Sequence, residues 1–377
     1  MHIGILGRNI RPPWNEAVKN MAFELARQLA KSGHKIHLVT TEGPPIEHEP
    51  NLQVHSLPAR SFGQAALRTL LQLEKANELE VLHVQNLVIH RSLAPLLGRF
   101  RKKSKVPIVA YCCQLPSLRI SDWAHVFRKD PWEAVSTKLG MLAPALTTRW
   151  MVRMVDKVVA SSKFIRNEIA RSRPERDVEV IPPFVRPEPL ERRINRSIRA
   201  DGKHTLLYLG SHKVLRGEDD FLLMLGMLKR RLGDVSATAV TTYPIPQRIS
   251  KLVKRSNLTG NLRFLPRGIH LDVPSLIEDA GLYVFTGLSP IGSIDPPLTI
   301  IESLILGTPV VSYRSGGIDE VLPDGTLARY GDYSQLASLA FRALSNGGAR
   351  HPRPDLLSRF GSESAKRKFE EIYEGLA

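Results

Sequence analysis

The feature that most restricts this chain is an alternation of short apolar runs with amphipathic helices, and it plays out twice. His2 to Gly7 is a short apolar strand. Val18, Met21, Ala22, Leu25, Ala26, Leu29 and Ala30 then recur at helical spacing, and Gly33 stands where a C′ glycine ends a helix. Lys35–Thr40 predicts the next strand. Further strands are predicted at Leu52–Leu57, Val81–Val84, Pro107–Tyr111, Val158–Ser161 and Val178–Ile181, with helical segments between them. From Pro182 to His204 the chain turns rich in proline and arginine and loses its apolar period, so residues 183–203 are expected to be a linker. The alternation restarts with a strand at His204–Gly210 and a helix at Glu218–Arg231. Strands at Ser236–Val240, Leu262–Leu265, Leu282–Phe285 and Val310–Tyr313 follow. Strands separated by helices pair in parallel. The expected class is therefore α/β, with two Rossmann-like doubly wound parallel-sheet domains over residues 1–182 and 204–362. Such a pair places a ligand cleft at the carboxyl ends of both sets of strands.

Composition narrows what that cleft serves. Hydrophobic residues are 42% of the chain and charged residues 24%, which excludes a disordered chain, a collagen and a disulfide-stapled miniprotein. The longest apolar stretch, Leu298 to Val311, is broken by Glu302, Gly307 and Pro309. It falls short of the roughly 18–20 residues of a spanning helix. No signal peptide is read at the N-terminus, and the two cysteines, Cys112 and Cys113, are adjacent and poorly placed to pair. A cytoplasmic location is expected. The formal charge is +16, and residues 1–200 hold 32 Lys and Arg against 18 Asp and Glu. The first half thus carries +14 and the second +2, an asymmetry that points the N-terminal domain at something anionic.

The most informative segment is Ser293 to Glu320. A loop with two prolines opens a helix near Leu298, Glu302 sits in the first turn, Gly307 ends the helix, and a buried strand follows. Gly316-Gly317 turns into another helix start. Two helix N-termini at one sheet edge offer unpaired N–H groups to a phosphate, and a carboxylate in the same turn can accept from ribose or sugar hydroxyls. The plain alternative is that Thr299-x-x-Glu302 is a capping box.

The segment resembles the donor-binding motif of retaining GT-B glycosyltransferases, especially glycosyltransferase family 4. Glu302 matches the second Glu of that pattern, Gly307-Thr308-Pro309-Val310-Val311 its G-x-P-V-V block, and Gly316, Gly317 and Glu320 its end. The first Glu is replaced by Ile294, with Asp295 adjacent. Tyr208-Leu209-Gly210 and Arg216-Gly217 look like the segment in which a basic pair binds the donor diphosphate. Arg216 stands at the usual Lys position, Ser211 at the usual Arg, and Lys213 is the nearest replacement. The resemblance implies a catalytic set of Arg216, Lys213 and Asp295. It implies donor contacts from Gly210, Pro297, Leu298, Thr299, Glu302, Gly316, Gly317 and Glu320. It also implies a final helix over 363–377 that crosses back onto the N-terminal domain. The donor would be a nucleoside-diphosphate sugar, with no cofactor and no metal, since no D-x-D triplet occurs.

The acceptor side follows the pattern less closely. Asn15 and Glu16 stand where the family has Gly-Gly after the first strand, and the helix behind them carries Lys19. Arg11, Asn15, Glu16, Lys19 and Gln114 are the candidate acceptor contacts, while Glu16 can equally favour a helix N-terminus. Trp123, Phe127, Trp132 and Trp150 sit among Arg128, Lys129, Lys138, Arg149 and Arg153, downstream of Arg101, Lys102, Lys103 and Lys105. That segment reads either as an element lying on an anionic membrane or as core aromatics with solvated charges. The expected partners are a nucleotide sugar, a glycan or lipid-linked acceptor and an anionic membrane surface. The competing functions are a nucleotide-sugar epimerase of the same fold and a basic nucleic-acid-binding protein. The latter lacks any known binding motif, and no nucleic acid is expected.

Overall fold

The computed structural model describes residues 1–14, 16–86, 93–115, 120–171, 177–194, 204–267, 271–291, 293–345 and 351–376. The first sheet has strands β1 (His2–Leu6), β2 (Lys35–Thr41), β3 (Leu52–Leu57), β4 (Val81–Gln85), β5 (Ile108–Cys112), β6 (Lys157–Ala160) and β7 (Val178–Val180). Its helices are α1 (Ala17–Lys31), α2 (Phe62–Lys75), α3 (Leu93–Lys103), α4 (Ile120–Lys129), α5 (Pro131–Met154) and α6 (Lys163–Ala170). After α7 (Pro187–Ile194) comes a second sheet of β8 (Thr205–Leu209), β9 (Ser236–Thr241), β10 (Leu262–Pro266), β11 (Leu282–Phe285), β12 (Val310–Tyr313) and β13 (Leu327–Ala328). It carries α8 (Glu218–Leu232), α9 (Gln247–Arg255), α10 (Val273–Asp279), α11 (Leu298–Leu306) and α12 (Tyr333–Ser345). The short α13 (Leu357–Phe360) and the closing α14 (Ser362–Glu374) end the chain.

The strand orders are β3-β2-β1-β4-β5-β6-β7 and β10-β9-β8-β11-β12-β13, all parallel. Both are doubly wound. In each the order reverses beside the first strand, between β1 and β4 and between β8 and β11, and a ligand crevice opens at such a point. Strands covered on both faces need continuous apolar runs, which is why Val81–Gln85 and Leu282–Phe285 are buried at every position.

The segment expected to be a linker is structured in part. Pro187 opens α7 and Leu190 is buried, and a proline at the first helical position costs nothing because its missing N–H has no intrahelical partner there. Glu188 pairs with Arg27 on one side, and Arg193 pairs with Asp272 and Glu278 on the other. Residues 195–203 of the expected linker lie outside the described residues.

Helix α14 lies against α1. Ser362 Oγ donates to Glu24 at 2.8 Å, His34 Nε2 meets Glu370 at 3.1 Å, and Tyr373 Oη meets His83 Nδ1 at 2.7 Å. His83 is fully buried and burial pushes its pKa down to about 4, so it stays neutral. The Phe369 ring packs edge-on to Tyr111 and His83, with centroids 5.5 and 5.1 Å apart. One apolar cluster runs from Met21, Leu25 and Leu29 of α1 through Phe369 to Ile300 and Ile301 of α11. The end of the chain therefore ties both domains together. Phe369→Ala is expected to lower the unfolding free energy by ~3–5 kcal/mol, read by urea denaturation. An unchanged midpoint would show that α14 does not support the first sheet.

Candidate active site

The two reversal points open into one cleft of about 480 Å³. Arg8 and Asn9 follow β1, Asn86 follows β4, Gly210 and Ser211 follow β8, and Phe285 ends β11; all line it. The wall from the second sheet is built on α11. Pro297 is its N-cap and makes no side-chain cap bond, so the amides of Leu298 and Thr299 have no intrahelical acceptor. Pro297, Leu298 and Thr299 line the cleft. Thr299 is inside the helix, and its Oγ1 meets Tyr283 Oη at 2.7 Å, so the capping-box alternative does not hold. Glu302 lies one turn on, half-buried, and burial pushes its carboxyl up to about 7.

Arg216 ends a tight turn after β8 and lines the cleft, and burial together with Arg267 holds it below the usual arginine value. Arg267, after β10, lines the same space. The opposite wall is the N-terminal turn of α1, with Glu16 and Lys19, backed by the buried amides Asn86 and Gln114. Among the described residues, Arg8, Lys19, Arg216 and Arg267 thus line the cleft with one carboxylate, Glu16. Crowded cations around two helix N-termini form an anion site.

The model Glycosyltransferase Family 4 matches residues 18–189, and Glycosyl transferases group 1 matches residues 203–346. The chain is a GT-B glycosyltransferase related to these families. A 2-deoxystreptamine N-acetyl-D-glucosaminyltransferase from Niallia circulans is 24% identical, over 89% of this chain and 92% of its own. An N-acetyl-alpha-D-glucosaminyl L-malate synthase from Bacillus anthracis is 23% identical, over 93% and 91%. Among solved structures, sucrose-phosphate synthase from Thermosynechococcus elongatus superposes with a TM-score of 0.72 at 17% identity, over 99% of this chain and 98% of that one. The glycosyltransferase moves sugar from a nucleoside-diphosphate donor with retention of configuration. The epimerase and nucleic-acid readings fall away.

Several residues of the transferase are not where the motif puts them. Lys213 is exposed and does not line the cleft; Arg267 supplies the second cation of that wall. Asp295, expected at the reacting centre, is only 1% exposed and its carboxylate turns to the other domain. It accepts from Ser162 Oγ at 2.6 Å and from the Gly317 amide at 2.8 Å. Gly316 has φ +62, and a Cβ there would stand 2.2 Å from the Asp295 carboxylate, so only glycine fits. Glu320 accepts from the Lys163 and Phe164 amides at 3.1 Å, capping α6 across the domain boundary. Gly317 and Glu320 thus lie at the domain boundary, Gly316 packs on Asp295, and none of the three lines the cleft. Arg11 is half-buried beside the cleft, with Nη1 3.4 Å from the Thr41 carbonyl. Asn15 lies outside the described residues.

The basic aromatic segment divides. Val126 and Ala134 are buried in the core of the second domain, and Trp123 packs against it. Lys129 pairs with Asp220, and Glu133 accepts from the Val214 and Leu215 amides at 2.9 and 3.3 Å. Phe127, Trp132, Val135, Leu139 and Trp150 are exposed. The side chains of Lys138 and Arg149 lie outside the described residues. Cys112 and Cys113 are buried, and burial pushes the Cys112 thiol up to about 12, so they pack as apolar groups. Sequence reasoning missed Asn86 and Arg267, which no local motif marks.

Asp295 gives a pH signature. Burial pushes it up to about 7, against the hydrogen bonds of Ser162 and Gly317 that pull it down. A carboxyl raised above its unfolded value of about 3.9 stabilises fully below that pH. The contribution is lost as pH rises through about 7. Between those limits the unfolding free energy of the wild type is expected to fall relative to Asp295→Asn, by on the order of a few kcal/mol. Denaturation of both proteins at several pH values checks this, and parallel curves would contradict it.

Proposed function

We propose that the donor diphosphate lies against Arg216, Arg267 and the first amides of α11, with the ribose hydroxyls on Glu302. The observation that carries this reading is the juxtaposition of Arg216 and the uncapped α11 in one cleft. Leu298 lines the cleft, and Glu302, four residues on, shares its helix face without lining the cleft itself; a nucleotide seated on the α11 amides would extend toward that carboxylate. No hydrogen-bond partner of the Glu302 carboxyl is found among the described residues, which leaves its oxygens to a diol; burial opposes its ionisation until such donors arrive. Cations held at the diphosphate stabilise the charge that builds there as the anomeric C–O bond breaks. Asp295, engaged at the domain boundary, is not placed to act as a nucleophile. The acceptor hydroxyl attacks from the face the diphosphate leaves, and its proton passes to a departing phosphate oxygen.

A ligand-shift screen with uridine, adenosine and guanosine diphosphate sugars identifies the donor. Glu302→Ala is expected to weaken its binding about ten- to a hundredfold, the loss of ~1.5–3 kcal/mol for a charge-assisted bond. Arg216→Ala should lower kcat far more than Lys213→Ala. Unchanged donor affinity in the first variant, or equal small effects in the second pair, would remove these assignments.

The acceptor is proposed to be lipid-linked and met at an anionic membrane. Trp132, Val135, Leu139 and Trp150 are exposed along α5 and fall within about 60° of one helix face. Exposed Arg128 and Arg153, with Lys102 and Lys103 on α3, are the basic side chains of the same region. Cations near an anionic bilayer contribute ~1 kcal/mol each. Sedimentation with anionic vesicles is expected at ~0.1 M salt and should weaken at ~1 M as the Debye length falls. Trp132→Ala should weaken it further. Equal binding to neutral vesicles, or none to either, would leave a soluble acceptor.

A further inference from the structure

The cleft holds a buried cation that the donor reading does not use. Arg216 and the N-terminus of α11 stand on one wall. The other wall repeats the arrangement with the N-terminus of α1, where the N-cap Glu16 makes no side-chain capping bond, and with Lys19 in the first turn. Lys19 is 8% exposed and lines the cleft. Its ammonium makes no hydrogen bond or ion pair among the described residues. Burial pushes its pKa down, Glu16 opposes this, and Arg267 and Arg11 push it down further. A desolvated cation beside other cations is costly until an anion arrives. Beside it Asn86, 1% exposed, donates from Nδ2 to Gln114 Oε1 at 3.1 Å. That leaves Asn86 Oδ1 buried without a partner among the described residues. A buried acceptor facing a cleft calls for a donor from the ligand, such as a hydroxyl.

We propose that the acceptor substrate is itself an anion: a polyol bearing a phosphate or carboxylate that binds Lys19 and the first amides of α1, with a hydroxyl donated to Asn86 Oδ1. This rests on the donor reading above, which fills Arg216 and α11 with the diphosphate. Lys19 belongs to the first domain and stands on the acceptor side of the cleft, opposite Arg216 and α11.

The test uses calorimetry on the full chain, free and saturated with the nucleoside diphosphate that the screen selects. The soluble probes are D-glucose 6-phosphate and D-glucuronate, with D-glucose as the neutral control. Vesicles of phosphatidic acid, set against phosphatidylcholine, separate a lipid headgroup from a free anion. An anionic probe is expected to bind at least about tenfold more tightly than glucose, in the range of a charge-assisted hydrogen bond. Lys19→Met should abolish that difference and leave nucleotide affinity within about twofold; Lys19→Arg should retain most of it, which separates lost charge from a lost fold. Glucose binding as well as its phosphate, with no preference for phosphatidic acid, would overturn the proposal. So would Lys19→Met losing the nucleotide as Arg216→Ala does, because Lys19 would then belong to the donor. If no nucleotide binds the wild type, the donor reading falls, and the titrations of the free protein still decide for or against Lys19.

Discussion

The cleft exists because carboxylates hold the two domains together from both sides. Asp295 of the second domain takes a hydroxyl from Ser162 of the first. Glu320 of the second domain takes the two amides that open α6 in the first. Glu133 of the first domain takes two amides from the turn that carries Arg216 in the second. Each acid meets N–H or O–H donors, not a cation. A carboxylate at a helix or turn start is stabilised by unsatisfied amides without a counter-ion. The arrangement bridges the domain boundary and engages these three acids there and not in the cleft.

Charge is segregated as a result. These acids serve the interface, and among the described residues the cations Arg8, Lys19, Arg216 and Arg267 line the cleft together with the carboxylate Glu16. Burial and mutual repulsion hold Lys19 and Arg216 below their ordinary values. Perturbed cations gathered in one cleft are the mark of a site that takes an anion.

How far this was legible depends on how local each signal is. The strands at Leu282–Phe285 and Val310–Tyr313 stand where their apolar runs put them, because a strand buried on both faces leaves a nearly continuous apolar run. Helix α11 was legible from its prolines and from Gly307, which ends it. Arg267 was not, since it stands 51 residues beyond Arg216 in the sequence and only the β8–β9–β10 pairing brings the two together. The neighbours Ile294 and Asp295 show the limit of motif reading. Ile294 lines the cleft and Asp295 faces Ser162, because adjacent residues in an extended loop point to opposite sides. A carboxylate displaced by one position therefore moves to the other surface, and here that surface is the domain boundary.

The segment around α4 and α5 carries the same lesson on a helix. Basic and aromatic residues alternate along it without regard to face, so the sequence left core and surface readings level. The fold separates them by angle. Trp123, Val126 and Ala134 turn inward to the second domain, and Trp132, Val135 and Leu139 turn outward. Trp132 and Glu133 are consecutive, yet one is 81% exposed and the other grips the amides just before Arg216. The start of α5 is thus anchored to the turn that presents Arg216 and open to whatever lies outside. A surface that takes hold of Trp132 does so one residue from the contact that sets the position of that cation, which joins the outer face of the first domain to the donor wall of the second.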